Sequence, residues 1–114
     1  MDIIELFKGI IITDHAKTAQ YEIADHLRKN GYDVELEYPI SNRGDGRGGR
    51  IDIVATNQSD KLAIEVDRSS PRLKSMEKLK SMDGYVKIVL LRNGNYKFMR
   101  EGVLIYSLNI EERK

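Results

Sequence analysis

From Tyr32 to Ile40 the chain alternates apolar and polar positions, with Val34, Leu36 and Tyr38 set against Asp33, Glu35 and Glu37. A period of two predicts a half-exposed strand. Upstream, Ile3, Ile4, Phe7, Ile10 and Ile11 recur at helical spacing and predict a short leading helix over 3–11. Thr13 or Asp14 then reads as the N-cap of a longer helix running to about Asn30. Ala16, Ala19, Ile23 and Leu27 face inward, and Asn30-Gly31 is the stop. Beyond a loop over 41–50, two Ile/Val-rich arms, Arg50 to Ala55 and Lys61 to Asp67, flank Asn57-Gln58-Ser59-Asp60, which is turn chemistry; an antiparallel hairpin is predicted. Ser70 as cap and Pro71 in the first turn start a second helix, with Leu73, Met76 and Leu79 as its apolar stripe up to Asp83-Gly84. Tyr85 to Leu91 is nearly continuous apolar, hence a strand buried on both faces. Two short strands, around Tyr96–Met99 and Val103–Leu108, close the chain through Glu101-Gly102 and are candidates for exposed edges.

The order is helix, three strands in a meander, helix, buried strand. The helix at 71–82 is long enough to cross over and place the last strand parallel to the one carrying Glu65. The fold class is therefore α/β of the α+β kind, an αβββαβ core with a mixed central sheet flanked by helices. At 114 residues the chain is read as a single domain over 1–114.

The hairpin concentrates charge. With Thr56 opposite Lys61, Asp52 faces Glu65, and opposed residues lie roughly 4.5–5.5 Å apart at Cβ. Asp67, two residues on, shares their face. The other face, with Ile51, Ile53, Ala55, Leu62, Ile64 and Val66, is core. Directly opposed like charges destabilise a sheet, so the arrangement calls for a positive partner. A divalent cation is one candidate, since hard ions such as Mg²⁺ take carboxylate oxygens; Arg50, which falls opposite Asp67, is another.

The chain has no cysteine, which excludes disulfides, thiolate metal sites and thiol nucleophiles. It opens Met1-Asp2-Ile3-Ile4-Glu5, with acids where a signal peptide needs bases, and its apolar runs are far short of a membrane span. A soluble, cytoplasmic protein is expected. The net charge of +1 hides an asymmetry: residues 1–67 carry 8 Lys/Arg against 13 Asp/Glu, and residues 68–114 carry 11 against 5. The basic half begins directly after the acids, with Arg68, Arg72, Lys74, Lys78 and Lys80, as suits a polyanion beside a metal site. The loop Ser41–Arg50 has four glycines and three arginines; it reads either as a wrap around a phosphate backbone or as a flexible, solubilising connection. His15 and His26 read as surface helix residues, the tyrosines as packing, and Ser69-Ser70 as capping.

Gly49-Arg50-Ile51-Asp52-Ile53-Val54 followed by Leu62-Ala63-Ile64-Glu65-Val66-Asp67, in that element order, resembles the PD-(D/E)XK nuclease superfamily over roughly residues 14–91. The look is nearest to small single-domain members such as Holliday junction resolvases and phage nucleases. The resemblance implies a restriction-endonuclease-like fold. It makes Asp52 the first metal-binding acid and Glu65 the second, with the Val66 carbonyl as a further ligand and Glu22 as the helix-borne acid near the metal. Ile51 stands in place of the motif's Pro, and Asp67 in place of its usual Lys. Lys74 and Lys78, on consecutive turns of the next helix, are the candidates to replace that Lys.

The activity so implied is Mg²⁺- or Mn²⁺-dependent hydrolysis of DNA, branched DNA included, of a kind used in recombination. Asp52 and Glu65 hold the ion, Asp67 is a third ligand or a base orienting water, and Lys74 supplies positive charge. Arg43, Arg47, Arg50, Arg68, Arg72 and Lys78 grip backbone phosphates. A homodimer would widen the DNA surface. Two rivals use the same residues: a non-catalytic nucleic-acid- or protein-binding module on the same fold, with Asp67 marking lost hydrolysis, and a small interaction subunit whose acidic face meets a basic partner.

Overall fold

The computed structural model describes residues 3–41 and 46–110. After a short helix α1 (Ile3–Phe7), Gly9 turns the chain at φ 81° and Ile11–Ile12 form a strand, β1, instead of continuing the helix to 11. Helix α2 (Ala16–Lys29) buries Ala19, Ile23 and Leu27, as the spacing predicts, while Ala16 is exposed. Neither expected N-cap serves. His15 occupies the cap position without a side-chain capping bond, while Thr13 Oγ1 is engaged with Glu22 and Asp14 with Arg92 and Asn93. At the other end Asn30 is the C-cap and Gly31, at φ 87°, lets the chain reverse, as expected.

Strands β2 (Asp33–Ile40), β3 (Gly49–Thr56) and β4 (Lys61–Asp67) form the meander. Gly49 and Arg50 belong to β3, pairing with Ile40 and Pro39, so the preceding loop is shorter than 41–50. Gly48 is confined there: a Cβ on it would lie 3.0 Å from the Ile40 carbonyl. Helix α3 (Leu73–Lys80) starts at Arg72 rather than at Ser70-Pro71. It buries Met76 and Leu79 but leaves Leu73 76% exposed.

Strand β5 (Val86–Leu91) pairs parallel with β4, the crossover arrangement expected. Strands β6 (Lys97–Arg100) and β7 (Val103–Ser107) form a hairpin, and β8 (Asn109–Ile110) pairs parallel with β1. The main sheet runs β2-β3-β4-β5-β7-β6, mixed and six-stranded. Only β6 of the last hairpin is an edge. Strand β7 lies inside the sheet with Val103, Leu104 and Ile105 buried, because it pairs parallel with β5.

Two cores sandwich the sheet. One packs Ala19, Ile23 and Leu27 of α2 against Ile53, Leu62, Ile64 and Ile88; the other packs Met76 and Leu79 of α3 against Val54, Ala63, Val89 and Ile105. The protein is thus α+β, a mixed sheet flanked by helices. Among the described residues no helix is long and apolar enough to cross a membrane.

Candidate functional site

The hairpin turn forms as its residues dictate: the Asn57 side-chain oxygen accepts from the Ser59 and Asp60 amides at 2.8 and 2.6 Å. Thr56 pairs with Lys61 and Ile53 with Ile64, the register expected. The ladder stops there, one step short of Asp52 and Glu65.

The stop has a local cause. On β2, Val34 and Leu36 pack in the α2-side core, but Tyr38 and Ile40, of the same parity, pack in the α3-side core. On β3 the same change separates Ile53 and Ala55 from Ile51, which is buried but in the other core from the one expected. Both strands therefore turn over between these positions. Glu37 sits at the turnover with φ 53°, unusual for a residue with a Cβ, and Asp52 is the residue opposite.

Carboxylates replace the lost ladder. Asp52 Oδ2 accepts from the Val66 amide at 2.8 Å, and Glu65 Oε2 accepts from the Asp52 amide at 2.8 Å. The N–H and C=O of one strand residue project to the same side, so the Val66 carbonyl is directed toward Asp52 as well. The buried Gln20 of α2 donates to the Asp52 carbonyl at 2.8 Å, and its Nε2 lies 3.5 Å from Glu37 Oε2.

Glu65 is fully buried. Lys78 Nζ stands 2.7 Å from its Oε1 as an ion pair and donates to the Arg50 carbonyl at 2.9 Å. That ammonium is the one polar partner of Oε1 among the described residues. Burial, and then the neighbouring Asp52 charge, push the Glu65 carboxyl up to about 7 against the opposing pull of Lys78. Burial also raises Asp52; the Val66 amide and Lys78 oppose it, while the charges of Glu37 and Asp67 add to it.

Asp67 is buried on the same face but is spent elsewhere. Its Oδ1 accepts from Arg72 Nε at 2.9 Å and Ser75 Oγ at 3.0 Å, and its Oδ2 from the Arg72 amide at 3.0 Å. These bonds engage both oxygens and tie Asp67 to Arg72 and Ser75. Glu22, the helix-borne acid, has its Oε1 accepting from the Thr13 amide and hydroxyl, both at 3.1 Å. Lys74 lies exposed on α3, and Lys78 takes the place expected of it beside the acids. Arg47, Arg50, Arg68 and Arg72 are exposed, the last with Nε tied to Asp67; Arg43 lies outside the described residues.

Gln20 and Glu37 escaped the sequence reading. Glu37 looked like one of three acids on an exposed face, and the backbone reversal that singles it out has no sequence signal in a glutamate. Gln20 does fall on the inward stripe of α2, one residue after Ala19, and its amide there was the available clue. Among the described residues no group of three or more carboxylates or imidazoles is placed to hold a metal ion.

No family model matches the chain, and no curated protein does. The chain is similar in structure to the crystallised protein of unknown function AF1548. The TM-score is 0.52 and the identity 15%, over 77% of this chain and 55% of that one. The likeness is one of fold. This chain spans about half the length of that protein (55%).

Proposed function

We propose that the chain is a metal-dependent DNA endonuclease of the PD-(D/E)XK kind, with Asp52 and Glu65 as its acid pair and Lys78 as its positive group. The observation that carries this reading is the fully buried Glu65 carboxylate, set beside Asp52 and met by an ammonium 2.7 Å from its Oε1. A fold gains little from setting a buried carboxylate beside a half-buried one at a strand divergence unless the site is used.

The donor set fits a hard cation: Asp52, Glu65 and the Val66 carbonyl would hold it through oxygens, with water completing the shell. Such an ion, when bound, lowers the pKa of water and neutralises charge on a phosphate oxygen. Lys78 contributes positive charge where it develops on phosphorus, from a side chain only 14% exposed and therefore weakly screened. Gln20, through the Asp52 carbonyl, fixes the backbone that carries the first acid. Arg50, Arg68 and Arg72 offer exposed cations around the site for backbone phosphates, which position DNA without reading its sequence. Arg47 and, from the loop, Arg43 extend the same basic set. Branched DNA as substrate, a homodimeric assembly and an intracellular setting belong to the same proposal.

The test is cleavage of labelled linear, branched and single-stranded DNA with Mg²⁺ or Mn²⁺, for wild type, Asp52→Ala and Glu65→Ala. Cutting that needs the metal and disappears in both variants supports the reading. A non-catalytic DNA-binding module is the second reading. It is favoured by the Lys78 ammonium already neutralising Glu65 and by the lack, among the described residues, of a third acid placed to hold a metal ion with the pair. DNA binding without metal, kept in Glu65→Ala and with no cutting, would decide for it.

A further inference from the structure

Helix α3 has eight residues, and helices so short are marginal on their own in water. Its seat is set by tertiary contacts. Met76 and Leu79 supply apolar burial, which is non-directional and leaves the helix able to slide or roll. Direction comes from Asp67. From the end of β4 its carboxylate takes the Arg72 amide, the Ser75 hydroxyl and the Arg72 guanidinium, anchoring the cap residue and the first turn of a helix that has no side-chain cap. Asp67 is 3% exposed and Ser75 fully buried, so the bond between them is shielded from water, while the two Arg72 bonds are half-buried.

Ser75 and Lys78 are one turn apart on the same helix face. Glu65 and Asp67 are two apart on the same strand face. The helix therefore meets the strand at two points, Ser75 on Asp67 and Lys78 on Glu65. Fixing the first point sets where the second falls. A shift of about 1 Å in α3 would take Lys78 out of bonding range of both Glu65 Oε1 and the Arg50 carbonyl.

We infer that Asp67 is a positioning residue: it locks the first turn of α3 and thereby sets the place at which Lys78 meets the acid pair. Position 67, where a lysine would reach the acids directly from the strand, carries instead the acid that holds the helix, and the lysine arrives from the helix. The kinetic consequence rests on the nuclease reading above, whereas the structural one does not.

Lysine acylation followed by mass spectrometry tests the inference on the intact protein. In wild type Lys78 should acylate much more slowly than the exposed Lys74 and Lys80. Asp67→Asn and Ser75→Ala should raise Lys78 labelling several-fold and leave Lys74 and Lys80 unchanged. If Asp67→Asn fails to fold, Ser75→Ala decides, since it removes one bond of the three. Continued protection of Lys78 in the folded variants overturns the inference. With DNA cleavage as readout, Asp67→Asn should cost nothing further in a Lys78→Met background. Multiplying losses would make Asp67 a direct participant and also overturn it. If wild type cuts no DNA, the nuclease reading fails and the labelling result still stands or falls alone.

Discussion

Lys74 and Lys78 sit on consecutive turns of α3 and have similar sequence surroundings, yet only Lys78 reaches the acids, held between Glu65 Oε1 and the Arg50 carbonyl. Lys74 projects into solvent. The nuclease reading therefore separates them sharply. Lys78→Met should lower cleavage roughly 100-fold, the usual effect of removing one aimed electrostatic group. Lys74→Met should change it by about twofold at most. Parallel single-turnover assays at saturating metal would check both. Equal losses in the two variants would mean that the lysines act only as phosphate contacts.

At the level of elements, what could be read in advance depended on whether the signal was local. The β3–β4 register was legible because Asn57-Gln58-Ser59-Asp60 fixes its own turn and the flanking Ile and Val residues demand burial. That register brought Asp52 and Glu65 together from sequence alone. The turnover of β2 and β3 was hidden, since alternation continues unbroken through Glu37 and nothing in a glutamate announces φ 53°. The start of α3 was misjudged for a related reason. Ser70-Pro71 is a good local cap, but the bond that seats the helix comes from Asp67, on another element.

The β6–β7 hairpin carries a similar strain in a simpler setting. Arg100 pairs with Val103, so Glu101 and Gly102 are the two turn residues, with φ 50° and 80°. Positive φ at both positions is the type I′ geometry, which prefers Asn-Gly. Glu101→Asn should stabilise the protein by about 1 kcal/mol, the rough cost of a left-handed residue with an ordinary side chain. The exposed contact of Glu101 with Lys80, lost in the exchange, is worth little. Urea denaturation with an unchanged m-value and a raised midpoint is the expected result.

For the molecule as a whole, the buried Glu65 of the acid pair couples stability to pH in a sense opposite to the usual carboxylate. The Glu65 carboxyl is raised from 4.5 to about 7 on folding. Between those values the folded protein binds more protons than the unfolded chain, so stability falls as pH rises through this window and levels off above it. The loss from Glu65 is on the order of 3 kcal/mol, enough to lower Tm by on the order of 10 °C in a domain of this size. Glu65→Gln removes the charge while keeping an oxygen for the Asp52 amide. It should therefore melt close to wild type at pH 5 and well above it at pH 8, with a flatter Tm profile between. A cation that binds the ionised pair must reverse the effect, because it stabilises only the folded protein and only where Glu65 has lost its proton. Mg²⁺ or Mn²⁺ should thus raise the Tm of wild type at pH 8 more than at pH 5 and leave Glu65→Gln unmoved. A wild-type Tm that responds to pH but not to either metal would leave the acid pair intact as a structural observation. It would also remove the cation from the proposed chemistry.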